Sequence, residues 1–179
     1  MADLKGKKVA ILVDNFFEEA EFTGPLKDLQ QAGADVDIVA PETGTLQAMQ
    51  HADKGGTFEA TKKLDDIRID DYDALVLPGG AVNADSLRMN DKAKIWVRQF
   101  LSIGKPVAAI CHAPWILASA NLAKGRRITS FETIQDDMRN AGADWVDEEV
   151  VIDQNLITSR KPDDVPAFNK ALIGMLQTA

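Results

Sequence analysis

Val107-Ala108-Ala109-Ile110 is a short apolar run that Cys111-His112-Ala113-Pro114 closes at once, and a second apolar run, Trp115 to Ala118, follows directly. The first run has the length and β-branched ends of a buried strand. Pro114 suits the first turn of a helix, where its missing N–H is not needed. Cys111 therefore falls where a strand turns sharply into a helix. Ala109 and Ala113 stand two places either side of it, the small-x-nucleophile-x-small spacing of a nucleophile elbow, whose tight turn excludes bulky neighbours. A thiol at a helix N-terminus also feels the positive end of the helix dipole, which favours the thiolate. Free cysteine is a common core residue as well, so the thiol is either structural or reactive. The strand, the turn, the proline and the adjacent histidine together favour the reactive reading.

The rest of the chain reads as alternating strands and helices. Lys8 to Val13 is nearly all apolar, as a parallel strand covered on both faces must be. Pro25 opens a helix ending at Gly33, and Asp35 to Ala40 is a second strand. Strand, helix and strand make a unit with a right-handed crossover. Thr43 to Leu64, punctuated by Gly44, Gly55 and Gly56, reads as small antiparallel strands or a hairpin. Ala74 to Leu77 is another buried strand running into Pro78-Gly79-Gly80. Asn90 caps a helix to about Ile103, with Ile95, Val97, Phe100 and Leu101 as its apolar positions, and Gly104 stops it. Ile128 to Phe131 reads as a strand and Glu132 to Ala141 as a helix. Trp145-Val146, Glu149 to Ile152 and Leu156 to Ser159 read as strands, with a turn at Asp153 to Asn155. Pro166 starts a closing helix to about Gln177. No linker or repeat divides residues 1–179, so the expectation is one α/β domain: a three-layer α/β/α sandwich on a mostly parallel, flavodoxin-like sheet with a nucleophile elbow.

Charge removes some functions. The chain has 179 residues, with Lys+Arg 20 against Asp+Glu 28, a net charge of −8. No Lys/Arg-rich run is present, so nucleic acid is not an expected partner. The polar start MADLKGKK is not a signal peptide. No apolar run approaches bilayer length, so no membrane partner is expected. A single cysteine forms no internal disulfide, which suits a reducing cytoplasm.

A cysteine nucleophile needs proton-transfer partners and donors for an oxyanion. His112 is the natural base or acid, and its backbone N–H follows the nucleophile as an elbow's oxyanion donor does. Gly79 or Gly80, at the end of a neighbouring strand, offers a second N–H. Glu18, Glu19 and Glu21 follow the carboxyl end of the first strand, and the carboxyl ends of parallel strands share one edge. A carboxylic acid against a thiolate has its pKa raised and donates a hydrogen bond to the sulfur. No histidine follows His112, which excludes a triad completed by a late histidine. With one Cys and two His a metal site is poorly supplied. His51 reads as a loop histidine, and no cofactor is expected.

These residues resemble a known family: the PfpI-type intracellular protease and deglycase-like family of the ThiJ/PfpI superfamily, with a class I glutamine amidotransferase-like fold. The resemblance is carried by Ala109 to Pro114, by Ala74 to Gly80, by Phe17 to Glu21, by Asp136 to Asp147 and by Thr158 to Asp164. It covers about residues 7 to 177. It implies that Cys111 is the nucleophile, that Glu21 hydrogen-bonds the thiol, that Glu18 is a second pocket acid, and that Gly80 and the His112 N–H form the oxyanion site. It implies further that Asp85 of a neighbouring subunit completes a Cys-His-acid triad, and hence a homo-oligomer, dimer or hexamer. Two departures from the family are Ala113, where many relatives have Gly, and Phe131, where an aromatic hydroxyl is common. The implied activity is a cysteine-dependent hydrolase acting on an amide or a reactive carbonyl such as methylglyoxal or its adducts, as peptidase, glyoxalase or deglycase in stress protection. The alternatives are a non-enzymatic stress protein or chaperone that senses oxidants through Cys111, and a small-molecule binding module with a structural cysteine.

Overall fold

The computed structural model describes residues 3–179. The strands are β1 Lys8–Leu12, β2 Phe17–Glu18, β3 Asp35–Ala40, β4 Gly44–Gln50, β5 Asp53–Ala60, β6 Lys62–Lys63, β7 Ala74–Leu77, β8 Val107–Ile110, β9 Arg127–Ile128, β10 Asp144–Trp145, β11 Val150–Asp153 and β12 Leu156–Ser159. The α-helices are α1 Glu19–Gln31, α2 Ala81–Met89, α3 Asp91–Ser102, α4 Trp115–Ser119, α5 Gln135–Asn140 and α6 Val165–Thr178.

A seven-stranded sheet in the order β11-β12-β8-β7-β1-β3-β6 forms the centre. It is parallel throughout except for β11, which runs antiparallel to β12 at one edge. Alternate residues of each central strand enter opposite core layers. Ala10, Leu12, Leu75, Leu77, Val107 and Ala109 pack with Trp96, Phe100, Leu117 and Met138 from α3, α4 and α5. Val9, Ile11, Ala74, Val76, Ala108 and Ile110 pack with Phe22 and Leu29 of α1 and with Phe168, Leu172 and Leu176 of α6. Both faces are dry, which is why these strands carry almost no polar residue. Each fully buried Phe or Leu contributes about 1.5–3 kcal/mol of transfer free energy. The α/β class and the mostly parallel sheet expected from the sequence are the observed ones.

Several elements differ from the sequence reading. The first helix begins at Glu19, so Pro25 lies inside it. Its ring removes only the bond to the Glu21 carbonyl, and Thr23 Oγ1 donates to the Glu19 carbonyl (3.0 Å) on the same turn. Helix α2 has no counterpart in the reading. It exposes Val82 and Met89 and buries Asn83 beside Ala84 and Leu87, which blurs its amphipathic pattern. In α3 Ile95 faces solvent, and Ala93 and Trp96 supply the core face beside Val97, Phe100 and Leu101. Of the expected strand at 128–131 only Ile128 pairs, together with Arg127 before it, and this β9 pairs with β10 outside the main sheet. The hairpin expected between Thr43 and Leu64 is β4 and β5, with β2 added beside β4. Among the described residues no helix is long and apolar enough to cross a membrane.

Because β1 and β8 both flank β7 in parallel, three carboxyl-end segments meet at one sheet edge. They are Asp14 to Glu21, Pro78 to Gly80, and Cys111 to Pro114.

Candidate active site

Cys111 is the first residue after β8 and is held at φ 66°. That left-handed backbone is uncommon outside glycine and costs about 1–3 kcal/mol, a strain found at functional turns. The turn is fixed from both sides. The Cys111 N–H donates to the Ser159 carbonyl (3.0 Å), and its carbonyl accepts from the Phe131 N–H (2.8 Å). Cys111 Sγ lies 3.2 Å from His112 Nδ1. The backbone N–H groups of Gly80 and His112 also point at the sulfur.

Glu21, in the first turn of α1, is fully buried. Its Oε2 accepts from the Gly79 N–H (2.8 Å), its carboxyl is close enough to the Cys111 thiol for each to shift the other's titration, and Oε1 has no protein partner. Burial raises its pKa to about 8, against the pull of the thiol and the Gly79 N–H. Burial likewise pushes the Cys111 thiol up, and charge on Glu21 would push it further; the Gly80 and His112 N–H groups oppose both. Helix dipole alone predicts a lowered thiol pKa; here desolvation outweighs it, and α4 starts only at Trp115. At neutral pH Glu21 therefore holds a proton that its carboxyl can donate to sulfur, and the charge repulsion is absent.

A folded-state pKa of about 8 against an ordinary 4.5 has a consequence for stability. Between these values the unfolded chain ionises Glu21 and the folded chain does not, so the folded state binds more protons. Stability from this group is complete below about pH 4.5 and declines as pH rises towards 8, by about 1.4 kcal/mol per unit. Glu21→Gln is expected to flatten that decline. Urea unfolding at several pH values checks it, and parallel curves for the two proteins would refute it.

The two glycines are needed for close approach. A Cβ on Gly79 would overlap Glu21 Oε2 and lie 2.6 Å from Cys111 Cβ and 2.8 Å from the Ile110 carbonyl oxygen. Gly80, at φ 89°, would place one 2.6 Å from the Phe16 carbonyl oxygen. The Gly79 N–H is committed to Glu21, whereas the Gly80 N–H faces the Cys111 sulfur. Ala113 donates its N–H to the Ile110 carbonyl (3.1 Å) and packs in the core, so it shapes the elbow and does not line the cavity.

Asn83 and Thr133 escape the sequence reading, and His51, on the turn expected of it, reaches the site in a way that reading did not give. Asn83 is fully buried; its Nδ2 donates to the Pro78 and Gly79 carbonyls (3.0 and 2.9 Å), and its Oδ1 accepts from the Asp14 N–H (2.7 Å). It locks the glycine turn to the end of β1. Thr133 Oγ1 lies 3.3 Å from His112 Nε2. His51, at the β4–β5 turn, donates its N–H to the Glu18 carboxylate (3.1 and 3.3 Å) and lines the site. No residue spacing signals these, because the fold alone brings them together.

Burial lowers the His112 pKa, and Phe131 stacks on its ring at 4.8 Å. For neutral His112 to take the thiol proton, Nδ1 must hold the lone pair. Nε2 then carries the hydrogen and donates to Thr133 Oγ1. Thr133→Val, which keeps the shape and loses the acceptor, is expected to lower turnover about tenfold, the worth of one such bond. Thr133→Ser should restore it. Equal activity of the Val and Ser variants would remove Thr133 from the proton path.

A cavity of about 860 Å³ opens over the thiol, lined by Phe16, Glu18, Glu21, Met49, His51, Gly80, Val82, Cys111, His112, Phe131 and Lys161 among others. Cys111, His112, Glu21, Glu18 and Gly80 thus share one chamber. Asp85 does not join them. It is exposed on α2, and among the described residues His112 meets Cys111 and Thr133 and no carboxylate.

A buried thiol on an elbow, with a protonated acid, an imidazole and two N–H donors under an apolar chamber, defines a cysteine-centred α/β protein. The DJ-1/PfpI family profile matches residues 7–175, and the chain belongs to that family. It is 42% identical over 176 residues to general stress protein 18 of Bacillus subtilis, covering 96% of this chain and 99% of that protein. It is 39% identical over 171 residues to protein/nucleic acid deglycase 2 of Escherichia coli, covering 95% and 98%. A solved two-domain protein of Anabaena variabilis with DJ-1/ThiJ/PfpI-like and ferritin-like domains superposes with a TM-score of 0.90 at 36% identity, over 95% of this chain and 48% of that one.

Proposed function

We propose that this protein is a cysteine-dependent hydrolase that releases reactive-carbonyl adducts, such as those of methylglyoxal, from their carriers. The observation that carries the reading is the 3.2 Å approach of Cys111 Sγ to His112 Nδ1 on the floor of a cavity. The name of the Escherichia coli relative supports it. Sulfur adds to the carbonyl carbon as the thiol proton passes to His112 Nδ1, and the C=O pair moves onto oxygen. The Gly80 and His112 N–H groups face that oxyanion. The carbonyl attacked is the aldehyde formed when the adduct's carbinol C–N or C–S bond breaks. The carbinol hydroxyl gives its proton to the departing carrier, which leaves as the free amine or thiol. The oxyanion on the Cys111-bound carbon takes its proton back from His112, and water adding to that carbon displaces the Cys111 thiol and frees the carbonyl as its hydrate. Glu21 donates to sulfur between these steps and keeps a second charge out of the chamber.

The active assembly in this reading is a homo-oligomer. Val82 (57% exposed) and Met89 (75%) flank Asp85 on α2 beside the cavity, and a second copy covering this face would bring its own Asp85 towards the site. Sedimentation should give a dimer or larger, and a fully active monomer would remove Asp85 from the mechanism.

The deciding assay offers the protein free methylglyoxal, methylglyoxal-treated N-acetyllysine and a fluorogenic peptide. Release of free amine from the treated N-acetyllysine is expected. Cleavage of the peptide alone would make the protein a peptidase, and inertness towards all three would refute the hydrolase reading.

A further inference from the structure

The chamber holds one buried carboxylate that no protein cation meets. Glu18 is 9% exposed and lines the cavity. Its oxygens accept from the single N–H of His51, whereas a carboxylate has about four acceptor positions. The His51 ring lies at 3.7 Å and is itself 84% exposed. The other titratable groups do not balance Glu18. Glu21 keeps its proton to about pH 8, and burial holds His112 towards neutrality. Lys161 and Asp163 are opposite charges on the exposed rim. Phe16, Met49, Val82 and Phe131 make much of the remaining wall apolar. A carboxylate in such surroundings is costly without a counter-charge.

The way Glu18 is held points the same way. His51 sits at φ 57°, the first position of a two-residue hairpin turn between Gln50 and Asp53. Glycine is the usual residue at such a position. A non-glycine residue strained there, with its N–H turned onto the wall of a chamber, is a feature of ligand clamps. Glu19 anchors the same hairpin, its Oε2 accepting from the Gly56 N–H (2.6 Å).

We infer that Glu18, clamped by the His51 N–H, is a subsite for a cationic group of the substrate, so that the chamber prefers carbonyl adducts carried on a guanidinium to adducts carried on a neutral thiol. The inference rests on the hydrolase reading for its choice of substrate, though not for the charge of the subsite. A guanidinium presents a planar fork of donors that matches a carboxylate, and its charge persists at all working pH values.

The experiment uses one carbonyl on two carriers: the methylglyoxal adducts of N-acetylarginine amide and N-acetylcysteine amide. Glu18→Gln keeps the size and the acceptor for His51 and removes the charge. It is expected to lower the arginine-over-cysteine ratio of kcat/KM about tenfold, through KM of the arginine adduct. An unchanged ratio, whether both activities fall together or neither does, would overturn the subsite. Calorimetric binding of N-acetylarginine amide itself needs no turnover, and should be about tenfold weaker for Glu18→Gln than for the wild type. Equal affinity, or no binding to either protein, overturns the subsite even if hydrolysis stands. If neither adduct turns over but the carrier binds as expected, the hydrolase reading falls and the subsite survives.

Discussion

Cys111→Ser is expected to reduce turnover of carbonyl adducts by about a thousandfold or more while the protein stays folded. A serine hydroxyl fits the space, and its backbone can take the same strained turn with its bonds to Ser159 and Phe131. What is lost is the nucleophile. A hydroxyl is far less acidic than a thiol, and the site has no strong base to activate it: burial lowers the His112 pKa and Glu21 is protonated. Removing the nucleophile of a site whose residues act as a unit costs most of its rate enhancement. Kinetics on a methylglyoxal adduct, with a thermal melt for folding, check this. A folded Cys111→Ser variant retaining a tenth of the activity would contradict it.

Gly80→Ala is expected to cost about 2–6 kcal/mol of stability and to abolish activity in whatever protein remains folded. Two effects add. Alanine at φ 89° is strained by about 1–3 kcal/mol. Its methyl would also meet the Phe16 carbonyl oxygen at 2.6 Å, the Glu18 nitrogen at 2.8 Å and the Phe17 Cα at 2.9 Å. These are backbone atoms that cannot step aside, and overpacking of this kind costs about 1–3 kcal/mol. Any relaxation that relieves the clash moves the Gly80 N–H away from the sulfur. Urea unfolding and the activity of the soluble fraction report the two effects. A variant as stable and active as the wild type would mean that the turn is looser than described.

The sheet was legible in the sequence where burial leaves the chain no choice. β7 and β8 lie where their apolar runs end at Pro78 and Cys111, because strands dry on both faces are apolar almost without a break. Helix α2 was not legible, since it buries Asn83 and exposes Val82 and Met89. Its register is set by what Asn83 holds and not by hydrophobicity. Pro25 misled because proline is read as a helix start, and here the upstream turn is stabilised by tertiary packing. In the site, Cys111 and His112 are adjacent in sequence and could be read together. Glu21 followed from the rule that parallel strands share a carboxyl edge. The commitment of the Gly79 N–H to Glu21, and the roles of Thr133 and His51, depend on segments that only the fold brings into contact.

Hydrolysis by this route requires a covalent bond between substrate and Cys111. Rapid quenching of the protein with methylglyoxal, followed by mass analysis of its peptides, measures that bond directly. The predicted result is one methylglyoxal-derived mass on the peptide carrying Cys111, forming before product and missing from Cys111→Ser. Turnover that proceeds with Cys111 unmodified at every time point, or at the same rate in Cys111→Ser, would contradict it.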